Sequence, residues 1–311
     1  MKDLTLPYYS FNKYLKERYQ TKVWRVSLEG NFDCPNRDGK RAFGGCTFCT
    51  ADGSSSRAQS PTDHISKQLV NGIEKQRKRH QAQKFIAYLQ SFTNTYGTLE
   101  NLESTYTEAI SHPDVVVLAI GTRPDCLENQ VIDLINSFTN KVEVWIDLGL
   151  QSIHEQTLNL MNRAHTSEEF FMSLERIKKR APAIKVCAHM IAGLPPEDKN
   201  LKLSLETGLA LTKAPIDGIK IHNLCILKNT RTAKEFQENL VKPLMQAEYR
   251  DLVIEILINL SSKISVHRLM AEAPQKDELL APKWANNKNS FLSDLTKKMI
   301  KENLFQGCKL S

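Results

Sequence analysis

Three of the chain's seven cysteines lie in one stretch, "CPNRDGKRAFGGCTFC", running from Cys34 to Cys49. Cys46 and Cys49 form a C-x-x-C, and eleven residues separate Cys34 from Cys46. Three thiolates in a glycine-rich loop admit three chemistries. Structural zinc wants a closed tetrahedral shell, hence a fourth ligand such as His64 or another cysteine, and none stands at familiar zinc spacing. A redox C-x-x-C would use Cys46 and Cys49 but leave Cys34 idle, and its thioredoxin-like context is missing. A [4Fe–4S] cluster would use all three and leave one iron open to an exogenous ligand. Cys126, Cys187, Cys225 and Cys308 stand alone and read as packing residues.

A loop that presents ligands has to be held by regular elements. Six short apolar runs recur: "VWRVSL" from Val23, "KFIAYLQ" from Lys84, "DVVVLAIG" from Asp114, "VEVWIDLGL" from Val142, "IKVCAHMIAG" from Ile184 and "GIKIHNLCIL" from Gly218. Runs that are apolar almost throughout predict strands covered on both faces, and so a parallel sheet. Helical patterns over 65–79, 99–110, 129–138, 168–179 and 201–211 separate them. This alternation predicts an α/β chain, either a partial (β/α) barrel or a doubly wound sheet. Ligands then sit beyond the carboxyl ends of the strands, where the cysteine loop, "SFTNTYG", "GTRPDC", "QS" and "GLPPED" fall. In "GTRPDC", Arg123 pairs either with an anionic substrate group or with Asp125, and both are substrate-site candidates. Residues 1–22 form an N-terminal helical extension with Phe11, Tyr14, Leu15 and Tyr19 on one face. Residues 23–228 form the core. Residues 229–311 supply a C-terminal extension, with a short strand "SVHRLM" and the loop "APKWANNKNS", that closes the barrel.

With these motifs in order, the chain resembles the radical SAM superfamily. Its "CTFC" is similar to the family's C-x-aromatic-C, in which the aromatic, here Phe48, lies near the adenine of S-adenosylmethionine. Common members have three residues between the first two cysteines. The wider spacing here, inside "CPNRDG....GGC.FC", resembles the YtqA/YhcC group, relatives of the Elongator catalytic subunit. That likeness continues through "GTRPDCL", "LGLQS", "HRLMAEAP" and "APKW". It implies a partial (β/α)6 TIM-like radical SAM barrel and a single [4Fe–4S] cluster on Cys34, Cys46 and Cys49. It also implies S-adenosylmethionine as the source of a 5′-deoxyadenosyl radical, and an external electron donor of the flavodoxin or ferredoxin type. "LGLQSIHEQTLNLMNRAH" resembles a segment of oxygen-independent coproporphyrinogen oxidases, which assigns Gln151 and Arg163 to the methionine end of the cofactor. His189 stands where those relatives carry an acidic ribose ligand, and reads either as a ribose contact or as a core histidine. Thr93 and Asn94 fall where relatives carry a loop for the cofactor's amine.

The formal net charge of +7, with clusters such as Arg77-Lys78-Arg79, suits a polyanion such as RNA or reflects solvated helix faces. The resemblance implies tRNA as substrate, with the carboxymethylaminomethyl group of the wobble uridine converted to aminomethyl. Trp284 would then stack on a flipped base or simply pack, and Lys283 and Lys288 would meet phosphate. A radical enzyme acting on a small metabolite, and a zinc-stabilised RNA-binding protein, remain open beside this reading. No run of eighteen apolar residues predicts a membrane span. The start "MKDLTLPYYSFNKYLKERYQ" lacks the pattern of a signal peptide, and a cytoplasmic location is expected.

Overall fold

A computed structural model describes residues 6–53 and 57–310. In chain order the elements are α1 (Phe11–Tyr19), β1 (Val23–Leu28), α2 (Ile65–His80), β2 (Lys84–Leu89), α3 (Leu99–Ala109), β3 (Val115–Thr122), α4 (Asn129–Ser137) and β4 (Glu143–Gln151). Then follow α5 (Glu155–Leu160), α6 (Ser167–Arg180), β5 (Lys185–Ala192), α7 (Leu201–Thr212), β6 (Gly218–Asn223) and β7 (Ile226–Leu227). The chain ends through α8 (Arg231–Gln237), α9 (Gln246–Ile258), β8 (Ser265–Arg268), β9 (Leu279–Ala281) and α10 (Lys288–Lys301). All six expected strands form. Their sheet has the order β1-β2-β3-β4-β5-β6-β8, with every neighbouring pair parallel. Strand order that follows chain order without reversal rules out the doubly wound alternative, which needs a switch point. The result is a curled, open half-barrel whose edges are β1 and β8. The run "SVHRLM" supplies β8, so the six-unit barrel carries a seventh strand.

Period-two alternation sorts the side chains. Outward residues such as Val144, Ile146, Leu148 and Leu150 of β4 join the main core under the helices. Inward residues change character along the strand. Near the amino end Trp145, Val117, Ile86 and Cys187 form a second apolar cluster, and α1 seals it. Leu15 is buried there, while Phe11 stacks on His267 with ring centroids 3.6 Å apart and meets Trp145 edge-on at 5.2 Å. The predicted apolar face of α1 thus plugs the barrel. Further along β4 the inner face reads Asp147, Gly149, Gln151, so polarity rises toward the carboxyl end. Among the described residues, no helix is long and apolar enough to cross a membrane.

Candidate active site

The three thiols line a cavity of about 790 Å³ at the carboxyl ends of the strands, together with Gln151, Arg163 and His189. Sequence-distant positions therefore converge on the cysteine loop. The loop is locally folded: the amides of Arg37 and Asp38 donate to the Cys34 carbonyl at 2.8 and 3.4 Å, and the Cys49 amide to that of Cys46 at 3.0 Å. Gly39, Gly44 and Gly45 take φ of 90°, 81° and 75°, the left-handed region that favours glycine. Arg37 braces the far end, donating to the carbonyls of Thr50 and Ala51.

The loop docks on the turn after α5. Thr47 N–H donates to the Met161 carbonyl at 3.1 Å. The Asn162 amide donates to the carbonyls of Phe43 and Gly45 at 2.9 and 2.8 Å, and Asn36 returns a bond to the Asn162 carbonyl. One residue further, Arg163 turns inward. Its Nη1 donates to Cys46 Sγ at 3.5 Å and its Nη2 to the Gly149 carbonyl at 3.2 Å. Asn36 Nδ2 gives Cys46 Sγ a second donor at 3.4 Å. Donors aimed at a thiolate stabilise its negative charge and tune any iron it ligates.

Gln151 has a φ of 74°, rare for a non-glycine residue, at a register irregularity between β4 and β5. Such strain is kept where a side chain must be aimed. Buried around this cavity, Gln151 Oε1, Arg163 Nε and Thr93 Oγ1 have no hydrogen-bond partner. Orphaned polar atoms beside three thiols fit a polar ligand held next to a cluster. Among the described residues, the trio of ligand atoms mutually within 4.8 Å is Asp147, Cys187 and His267, deeper in the barrel. That Asp147 is already neutralised by Lys220.

Other candidates are placed as follows. Phe48 is half-buried against the cluster of Met161, Ile191 and Leu224, and borders the cavity. His189 also borders it, its Nε2 2.8 Å from His222 Nδ1. Asn94 does not open to the cavity: its amide donates to the carbonyls of Ser91 and Gly121, both at 3.0 Å. Of the two readings open for Arg123, the structure has the pairing with Asp125. Arg123 spends Nε and Nη2 on the Asp125 carboxylate, both at 2.9 Å, and Nη1 on the Arg163 carbonyl at 2.9 Å. Arg123 borders the thiol cavity with these donors engaged. The pair also holds the Arg163 backbone. Trp284 takes the packing alternative: it donates to the Leu244 carbonyl and packs with Tyr249 and Phe291 in a three-ring group of the C-terminal core. Lys283 is bound to the Leu279 carbonyl and Lys288 to Glu272. Both are peripheral to the thiol cavity.

Strand-interior residues went unnoticed in the sequence. Lys220 of β6 bonds Asp147 of β4 and donates to Tyr88 Oη of β2 at 3.3 Å. The signal was there: a lysine and an aspartate midway through runs otherwise apolar.

Models of two families match the chain. The "Radical SAM superfamily" matches residues 38–205 and the "Radical_SAM C-terminal domain" residues 216–301. YtqA of Bacillus subtilis (strain 168) is 36% identical over 96% of this chain and 92% of its own length. YhcC of Escherichia coli (strain K12) is 33% identical over 95% and 93%. A Fusobacterium nucleatum tRNA-2-methylthio-N(6)-dimethylallyladenosine synthase is 24% identical over 78% of this chain and 57% of its own. Among solved structures, the archaeal Methanocaldococcus infernus Elp3 superposes with a TM-score of 0.67 at 17% identity, covering 92% of this chain. The likeness spans 64% of that Elp3 chain and shows the shared fold.

Proposed function

The chain belongs to the radical SAM superfamily, and from that premise we propose that it modifies tRNA at the wobble uridine, turning a carboxymethylaminomethyl side chain into aminomethyl. One observation carries the enzymatic part: Arg163 bonds the sulfur of Cys46 while Gln151, beside it, keeps a buried carbonyl oxygen unpartnered. A ligand that reaches both the cysteine loop and these side chains fits S-adenosylmethionine, whose carboxylate suits a guanidinium and whose amine suits an amide oxygen. Cys34, Cys46 and Cys49 would hold the [4Fe–4S] cluster. When bound, the cluster supplies the electron that splits the cofactor's sulfonium bond, giving a radical that abstracts hydrogen from substrate.

The protein's own residues have three tasks. Asn36 and Arg163 direct N–H groups at Cys46. The Arg123–Asp125 pair fixes the Arg163 backbone. Phe48 and Ile191 give one side of the cavity an apolar surface that excludes water. The tRNA part rests on the YtqA/YhcC-type motifs, on a tRNA-modifying relative and on the excess of positive charge. An external electron donor of the flavodoxin or ferredoxin type completes the reading.

Mass-spectrometric profiling of tRNA nucleosides after gene deletion tests it. Carboxymethylaminomethyluridine should accumulate, and an unchanged wobble-uridine profile overturns the substrate assignment. Anaerobically purified protein should be brown, absorbing near about 400 nm, and Cys34→Ala should lose both this colour and cofactor cleavage.

A further inference from the structure

Two arginines on the inner face of the barrel, Arg25 and Arg268, make no ion pair among the described residues. Arg25 lies in β1 and Arg268 in β8, the two edge strands, so they flank the open seam of the half-barrel. A register irregularity between Ile219 and Lys220 sets Arg268 opposite the inward-pointing Lys220. Bulges commonly re-aim a side chain in this way. Both arginines line the thiol cavity and also a second cavity of about 590 Å³ that continues toward α1. Five residues are common to the two cavities: Arg25, Tyr88, Asp147, Lys220 and Arg268. Among the described residues, neither guanidinium makes a side-chain hydrogen bond or ion pair. Arg25 rests over the Tyr88 ring, its guanidinium carbon 5.2 Å from the centroid. Lys220 has Asp147, whereas Glu272 near Arg268 is bound to Lys288 at 2.9 Å. Burial, and then the charge of Arg25, hold the Arg268 guanidinium below its ordinary pKa. Arg25 is exposed and Arg268 half-buried; their like charges repel each other, most strongly at the less solvated Arg268, and an anion set between them relieves that repulsion.

We propose that Arg25 and Arg268 form a receptor for the carboxylate of the substrate. The assignment rests on the reading above, in which the substrate side chain ends in a carboxylate, and it names the groups that recognise that end. Depth favours a carboxylate over a backbone phosphate. The arginines share a layer with Asp147, two residues or roughly 7 Å along β4 from Gly149. A slender side chain reaches such a layer; a phosphodiester attached on both sides stays at the mouth. Two guanidiniums offer parallel N–H pairs that match a carboxylate's two oxygens.

Two measurements test the receptor and the underlying reading separately. In the first, thermal unfolding of the anaerobically purified enzyme is followed with added malonate or inorganic phosphate. Wild type should show a saturable rise in midpoint with malonate, which Arg25→Gln and Arg268→Gln each weaken by about tenfold in apparent affinity. Lys309→Gln, which breaks an outer-surface ion pair with Glu255, should behave as wild type. No saturable response, or an unchanged response in both arginine variants, overturns the receptor. Tighter binding of phosphate than of malonate overturns the carboxylate assignment. In the second, deletion cells are complemented with each form and their tRNA nucleosides profiled. Wild type should restore aminomethyluridine, and the arginine variants should leave the carboxymethylaminomethyl form while the purified proteins still cleave S-adenosylmethionine with dithionite. If wild type leaves the profile unchanged although the malonate response holds, the wobble-uridine reading falls and the receptor stands.

Discussion

Gly149 shows how little room the site leaves. A Cβ placed there would lie 2.7 Å from Arg163 Nη2 and 2.8 Å from Gln151 Nε2. Its backbone has no need of glycine's freedom, so alanine would act through the clash alone. We expect Gly149→Ala to assemble the cluster normally, because no thiol is touched, yet to bind S-adenosylmethionine about tenfold or more weakly. Iron content and equilibrium binding separate the two effects, and an unchanged affinity would show that neither side chain holds the cofactor. Cys34, Cys46 and Cys49 could be grouped from the sequence because they share one loop, and all three border the same cavity. For Arg123, Asp125 and Trp284 the sequence left two readings open, because it gives their chemistry but not their partners. Within the fold Arg123 donates to the Asp125 carboxylate and to the Arg163 carbonyl, and Trp284 donates to the Leu244 carbonyl. Arg25 and Arg268 were overlooked for the converse reason: inside apolar runs, unusual polarity is visible only once strand direction fixes which face a residue occupies.

The cysteine loop is an element in its own right, and its hold on the barrel runs through the turn after α5. Asn162 sits there at a φ of 49° and donates to two loop carbonyls. Asn162→Ala would remove both bonds and place alanine in a left-handed conformation, together costing on the order of 2–3 kcal/mol. The loss should be local, since the loop contributes little to the main apolar core. The expected outcome is faster proteolysis around Gly44 and Gly45 and lower iron occupancy, with a global melting midpoint shifted by only a few degrees. A large fall in midpoint with full iron occupancy would mean that the turn supports the barrel rather than the loop. Repeating strand and helix patterns made the barrel itself readable, because period and order are properties of the sequence. The seventh place in the sheet was not. "SVHRLM" is too short to reveal its neighbour, and it joins β6 only after α9 has carried the chain back to the sheet edge.

Charge distribution over the whole molecule makes a prediction about acid. The chain has eight histidines, and four of them are held neutral in the interior. Burial, reinforced by nearby cations, pushes His189 and His267 down to about 3. Burial also sets His165 and His222 well below the ordinary imidazole range. In the unfolded chain these rings titrate near about 6.5. Between that pH and about 3, unfolding therefore binds protons that the folded protein refuses, so stability falls as pH falls through this window and is fully present above it. Each ring contributes up to about 1.4 kcal/mol per pH unit once its unfolded form is charged. Calorimetry at pH 5.5 in buffers of different ionisation enthalpy should find uptake of about three to four protons on unfolding, and His189→Gln combined with His222→Asn should remove about two. Uptake near zero would mean that the rings are charged in the folded state. They would then add to the positive charge of Arg25, Lys220 and Arg268, opposed in that layer by Asp147 alone. Neutral imidazoles are what allow so many nitrogen-bearing side chains to line one cavity, leaving its positive charge to the arginines and Lys220.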